Sequence, residues 1–171
     1  MHSVLSVVGS NRWSRFDTSV VVALSIPEDN FHDSSVTFVR RLRNNAIPSS
    51  IGPAFLLEVG KAAEEKGTQA ALRLVNTIEE YDIELTRTLG EQLWNLSTEY
   101  ATLGVLGSKR TFDLLHYASA TLLGCTHLVS WDKRHFNDRD EERLNRVNAS
   151  RNLRTLKVGD PFIVTRQLGI E

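Results

Sequence analysis

The chain has 171 residues, 41% of them hydrophobic and 24% charged, with ten Gly and four Pro, which fits one globular domain and excludes collagen-like, coiled-coil and wholly disordered chains. Twenty Lys and Arg against twenty-one Asp and Glu leave a net charge of −1, so the whole molecule is no electrostatic magnet for nucleic acid. The single cysteine, Cys125, excludes an internal disulfide and a thiolate metal centre.

In chain order, residues 15–19 read as the end of a strand passing into a short apolar helix over Val20-Val21-Val22-Ala23-Leu24, broken at Pro27. A helix over 33–45 follows, with Asp33 and Ser34 as N-cap residues. Val36, Phe38, Val39 and Leu42 recur at helical spacing, and Arg40, Arg41 and Arg43 fall outside that face. Residues 46–51 are a strand candidate. Gly52-Pro53 opens a helix that runs to Lys66 and stops at Gly67. Helices over 68–80 and 88–103 are joined by an extended piece at 82–85, and a Gly-containing connector leads to a helix over 111–123 closed by Gly124. Residues 126–130 carry a compact strand signal ending at Trp131-Asp132. A polar helix (138–149), a strand candidate (153–158) and a last helix opened by Asp160-Pro161 complete the chain.

Strands alternating with helices predict an α/β fold, a three-layer α/β/α sandwich with a small, mainly parallel central sheet. The expected division is an N-terminal extension over 1–12 and a single domain over 13–171. The apolar runs fall well short of the ~18–20 residues that span a bilayer. The first ten residues lack a signal-peptide pattern, so no membrane association and a cytoplasmic location are expected. Charge is unevenly spread: residues 133–166 hold nine bases and five acids, which allows a local basic face.

Most acids have ordinary roles on polar helix faces, and Asp33 and Asp160 read as caps. Four stand apart. Asp17 precedes five apolar residues, Glu58 interrupts Phe55-Leu56-Leu57 and Val59, Asp113 lies between Phe112 and Leu114-Leu115, and Asp132 ends the run Leu128-Val129-Ser130-Trp131. A carboxylate withdrawn from water without a partner costs several kcal/mol. A shared divalent cation would relieve all four. Oxygen donors without nearby Cys or paired His favour Mg2+ or Mn2+ over Zn2+. In parallel sheets the ligand crevice lies beyond the carboxyl ends of the strands, where Asp17 and Asp132 meet and where helices bring Glu58 and Asp113. Taken singly, Asp17 and Asp113 also read as helix caps and Asp132 as a turn residue.

Phe16-Asp17-Thr18-Ser19, Leu57-Glu58-Val59, Asp113-Leu114-Leu115-His116-Tyr117-Ala118 and the run from Leu128 to Phe136, in this order, resemble the PIN-domain nucleases, among them the VapC-type toxins. The resemblance implies a PIN-like fold whose four acids converge at the carboxyl edge of the sheet. It also implies a metal-dependent endoribonuclease that hydrolyses RNA phosphodiester bonds. Asp17 and Asp113 are then the expected direct metal ligands, Glu58 a ligand or water-orienting base, and Asp132 an outer or second-metal ligand. Thr18 and Ser130 are expected to orient these groups, and Arg110, Lys133 and Arg134 to meet substrate phosphate. His116 and His135 are read as packing or surface residues and not as metal ligands, Trp131 as a packing residue, and Cys125 as a small core residue.

The expected partners are an RNA substrate, a second copy of the chain and, if the chain is the toxin half of a pair, an antitoxin. The antitoxin is expected on an apolar helical face that includes Phe38, Val39, Leu42 and the 68–100 region. Two other functions share these residues: a catalytically silent PIN-like binding domain, and a DNA-directed nuclease.

Overall fold

The computed structural model describes residues 13–86, 90–104, 111–132 and 138–171. The proposed extension over 1–12, and Arg110, Lys133, Arg134 and His135, lie outside the described residues. The described residues hold five strands: β1 (Ser14–Phe16), β2 (Ser49–Ile51), β3 (Glu84–Leu85), β4 (His127–Val129) and β5 (Lys157–Gly159). They form one sheet in the order β3-β2-β1-β4-β5, and every pairing is parallel. The helices among the described residues are α1 (Thr18–Ser25), α2 (His32–Asn44), α3 (Ala54–Lys66), α4 (Thr68–Glu80), α5 (Gly90–Thr102), α6 (Thr111–Leu122), α7 (Asp138–Ser150) and α8 (Pro161–Leu168).

Alternation along the strands divides the core in two. Phe16 is in register with Ile51 and Val129, and these three pack with Val20, Val21, Phe38, Leu74 and Val164 from α1, α2, α4 and α8. Leu128 faces the other way and packs with Leu96, Tyr100, Tyr117 and Leu144 from α5, α6 and α7. That second layer holds its buried polar groups in pairs. The Tyr100 hydroxyl donates to Asn148, and Tyr117 donates to Asn145 Oδ1 at 3.0 Å.

Three differences from the sequence reading have local causes. Helix α2 begins at His32 with Phe31 at its N-cap and no side-chain cap bond, so Asp33 lies in its first turn. The segment 153–158 is extended only from Lys157, because Leu153 N and Leu156 N are taken by Asn148 O and Asn145 Oδ1 of α7 rather than by a strand. Phe38, Val39 and Leu42 are core residues, exposed by 3% or less, and so offer no surface to an antitoxin. Part of the C-terminal basic excess is neutralised in place: Arg146 pairs with Glu142 at 2.9 Å, Lys157 with Glu141 at 3.3 Å, and Arg151 with Glu99. Among the described residues no helix is long and apolar enough to cross a membrane.

The chain leaves β1 for β2 and β3 on one side, then returns to β4 and β5 on the other. The order therefore reverses between β1 and β4, the place where open parallel sheets bind ligands. Backbone pairing continues one residue past the strand ends. Asp17 N donates to Val129 O, Ser130 N to Gly159 O and Thr86 N to Ile51 O, each at 3.0 Å.

Candidate active site

A cleft of about 720 Å3 opens above this edge, and Asp17, Glu58, Asp113 and Asp132 all line it. Each comes from a different element: the β1–α1 junction, α3, the first turn of α6 and the segment after β4. Asp17 caps α1, its Oδ1 accepting from Ser19 N at 2.9 Å and from Ser19 Oγ. Ser19 Oγ in turn accepts from Trp131 N at 2.9 Å, and Ser130 Oγ accepts from Asp132 N at 3.0 Å. Ser19 and Ser130 Oγ lie 3.5 Å apart. Hydroxyls thus tie the end of β1 to the end of β4. Asp17 thus caps α1 and lines the cleft at once.

Glu58 is held by two groups. Thr18 Oγ1 donates to its Oε2, and His116 Nε2 lies 2.8 Å from the same oxygen. Burial pulls the Glu58 carboxyl upward, but the His116 and Thr18 hydrogen bonds and the His116 charge outweigh it and hold the group below its ordinary value. Asp17 is driven the opposite way. Burial raises it, the nearby Glu58 adds to the rise, and His116, Ser130 and Ser19 offset only part. A buried carboxylate pushed toward its neutral form beside further carboxylates is the electrostatic setting that a cation relieves.

The donor set therefore suits a hard divalent cation, all oxygen and anionic. The fit is chemical: among the described residues no three His, Cys, Asp or Glu side chains are grouped closely enough as placed to hold a metal ion.

The architecture can now be compared with solved structures. One chain of "VapBC2 from Rickettsia felis bound to a DNA fragment from their promoter" superposes with a TM-score of 0.58 at 17% identity, over 86% of this chain and 98% of that one. One chain of VapBC-1 from nontypeable Haemophilus influenzae superposes at 0.56 and 12% identity, over 88% and 98%. The fold is PIN-like. No family model matches the chain, and no curated protein matches it.

On this PIN-like frame the cleft also contains residues that the sequence reading placed elsewhere. His116 is 1% exposed and bonded to Glu58; its spacing of three from Asp113 puts both on one face of α6, which was the available signal. Asp160 is an N-cap as expected, accepting from Ile163 N at 2.8 Å, yet it lines the same cleft. It follows β5 directly, as Asp17 follows β1. Thr18 Oγ1 donates to Glu58, and Ser130 Oγ accepts from the backbone N of Asp132. Phe31, Trp131 and Phe162 form the aromatic wall of the cleft.

Proposed function

We propose that the chain is a divalent-metal-dependent endoribonuclease, the toxin of a toxin–antitoxin pair. The observation that carries this reading is that Asp17, Glu58, Asp113 and Asp132, up to 115 positions apart in sequence, line one cleft at the point where the strand order of a PIN-like sheet reverses. Asp17 and Asp113 would hold Mg2+ or Mn2+, with Asp132 as an outer ligand and Glu58 as ligand or water-orienting base. Such a cation lowers the pKa of bound water and neutralises charge that develops on a phosphodiester.

The chain's own groups prepare this chemistry. His116 and Thr18 fix Glu58 in one orientation and favour its ionised form, which can face a cation or orient a water. The Ser19–Ser130 link sets Asp17 and Asp132 on one rigid edge. Arg110, Lys133 and Arg134 remain the proposed phosphate contacts.

The similar VapBC structures support an antitoxin as partner. With Phe38, Val39 and Leu42 buried, the surface for it moves to the groove between α1, α3 and α4, where Val22, Ile26, Ala62 and Ala70 alternate with Lys61 and Arg73. A cytoplasmic location and a homodimer belong to the same reading.

The decisive experiment is Mn2+-dependent cleavage of a mixed single-stranded RNA pool by the native protein and by Asp113→Asn side by side. The native protein is expected to cut and the variant to be inactive; equal cleavage by both overturns the site. Parallel single-stranded DNA reads out a DNA-directed nuclease. The absence of three closely grouped donors among the described residues favours one further reading, a silent PIN-like binding domain. Calorimetric titration with Mn2+ separates the two, because the silent domain binds no metal in the cleft.

A further inference from the structure

The cleft has two chemically different walls. One is anionic. The other is aromatic: Phe31 lies nearly parallel to Trp131, with ring centroids 4.3 Å apart and planes 14° from each other, and Phe162 meets Trp131 edge-on at 5.6 Å. Trp131 is the fixed member, its Nε1 donating to Ser35 Oγ at 2.8 Å and its backbone N to Ser19 Oγ. Phe31 and Phe162 are not buried by this packing, being 43% and 55% exposed. Each ring stands within two residues of an acid that lines the same cleft, Phe31 beside Asp29, Trp131 beside Asp132 and Phe162 beside Asp160. Uncharged flat surface and anionic surface are therefore built into the same three segments.

We infer that Phe31, backed by Trp131, is a stacking platform for an unpaired base of the substrate strand. The inference rests on the nuclease reading and adds to it a base contact that stands apart from the carboxylates. A ring whose one face is occupied by a parallel indole offers its other face to a third plane, and a nucleobase is the planar group that a phosphodiester chain supplies. Stacking needs the base to be free of its complement and tolerates all four bases, since every base has a π-face. Phosphate and base then separate within the cleft, the base to the rings and the phosphate toward the carboxylates and their cation. Trp131 anchors the platform, and Phe31 makes the contact.

The test uses a ten-nucleotide mixed-sequence RNA, its duplex and an abasic strand of equal length. Binding is measured by fluorescence anisotropy with Mg2+ present, in the Asp113→Asn background so that the strand is held and not cut. Phe31→Ala and Phe31→Leu should each weaken single-strand binding by about 5- to 150-fold, the range that loss of one base stack produces. Phe31→Tyr should retain it, the duplex should bind weakly, and the abasic strand should not distinguish the variants. Phe31 is exposed, so all three variants are expected to fold, and circular dichroism checks this. Binding to Phe31→Leu equal to that of Phe31 overturns the platform and leaves the rings as a protein-docking surface.

Mn2+-dependent cleavage by proteins that retain Asp113 reads the nuclease proposal separately. Cleavage indifferent to Phe31 overturns the platform alone. Binding that depends on Phe31 without any cleavage supports the platform and overturns the nuclease. No binding of any strand overturns both.

Discussion

Glu58 is held below its ordinary value by two neighbours, so its behaviour can be tested without touching it. His116→Ala removes the partner at 2.8 Å and leaves Glu58 with Thr18 alone. Loss of such an orienting contact typically costs about 10- to 100-fold in activity or metal affinity, and we expect this loss in kcat of Mn2+-dependent cleavage. Thr18→Val should act in the same direction. The buried thiol of Cys125 offers a control distant from the cleft. Burial pushes it up to about 11, and its side chain is fully enclosed. It should resist an aromatic disulfide reagent at pH 8 in the native protein and react at once in urea.

Helix α6 and strand β1 show what was readable in the sequence and what was not. Asp132 follows the apolar strand signal of β4 and Glu58 breaks an apolar helix, whereas Asp17 follows the half-apolar stretch Trp13-Ser14-Arg15-Phe16 and is marked only by the apolar run after it. The partners of those acids were not readable in this way. His116 carries no local mark of contact with α3, since that contact exists only once α6 packs beside β1. Arg15 is the sharper case. It lies in β1, is fully buried, and donates from Nη2 to Ser119 Oγ at 2.7 Å, while its Nε and Nη1 find no partner among the described residues. Burial pulls it down to about 10, so it stays charged at neutral pH. Nothing in a three-residue strand announces a buried cation. Replacing buried charge with a well-packed apolar side chain is often neutral or stabilising by about 1–4 kcal/mol, and Arg15→Met is expected to raise the urea midpoint. Gly52 belongs to the same contact, because a Cβ there would stand 2.1 Å from Arg15 Nη2. Gly52→Ala should therefore destabilise the native background by about 1–3 kcal/mol and cost less in Arg15→Met. A double-mutant cycle with the same denaturant measures that coupling.

Taken together, the layers and their order were legible in part because α3 and α6 declare their stops: Gly67 and Gly124 both take positive φ where the sequence ends a helix. What escaped was the destination of polar groups that cap or fill from a distance, such as Asp160, whose cap and cleft positions coincide. The alkaline limit of the molecule follows from its buried acids. Cys125, raised from 9 to about 11, and Tyr100, raised from 10 to about 12 by burial, are neutral when folded and ionise earlier when unfolded. Their contributions are complete below pH 9 and 10 and are lost as pH rises through about 11 and 12. Arg15, lowered to about 10, acts oppositely above that pH. Cys125→Ala isolates the thiol: the fall in urea midpoint between pH 9 and 11 should be shallower than in the native protein.

The backbone bonds that run one step beyond β1, β3 and β4 have a kinetic consequence. Asp17 and Ser130 receive their amide restraint from the interior ladder, in a part of the chain where a loop would ordinarily begin to fray. Their deuterium uptake should keep pace with the slowest protons of the sheet and be released only by global unfolding. Such a floor keeps its shape, so any motion that widens or narrows the cleft has to come from its walls.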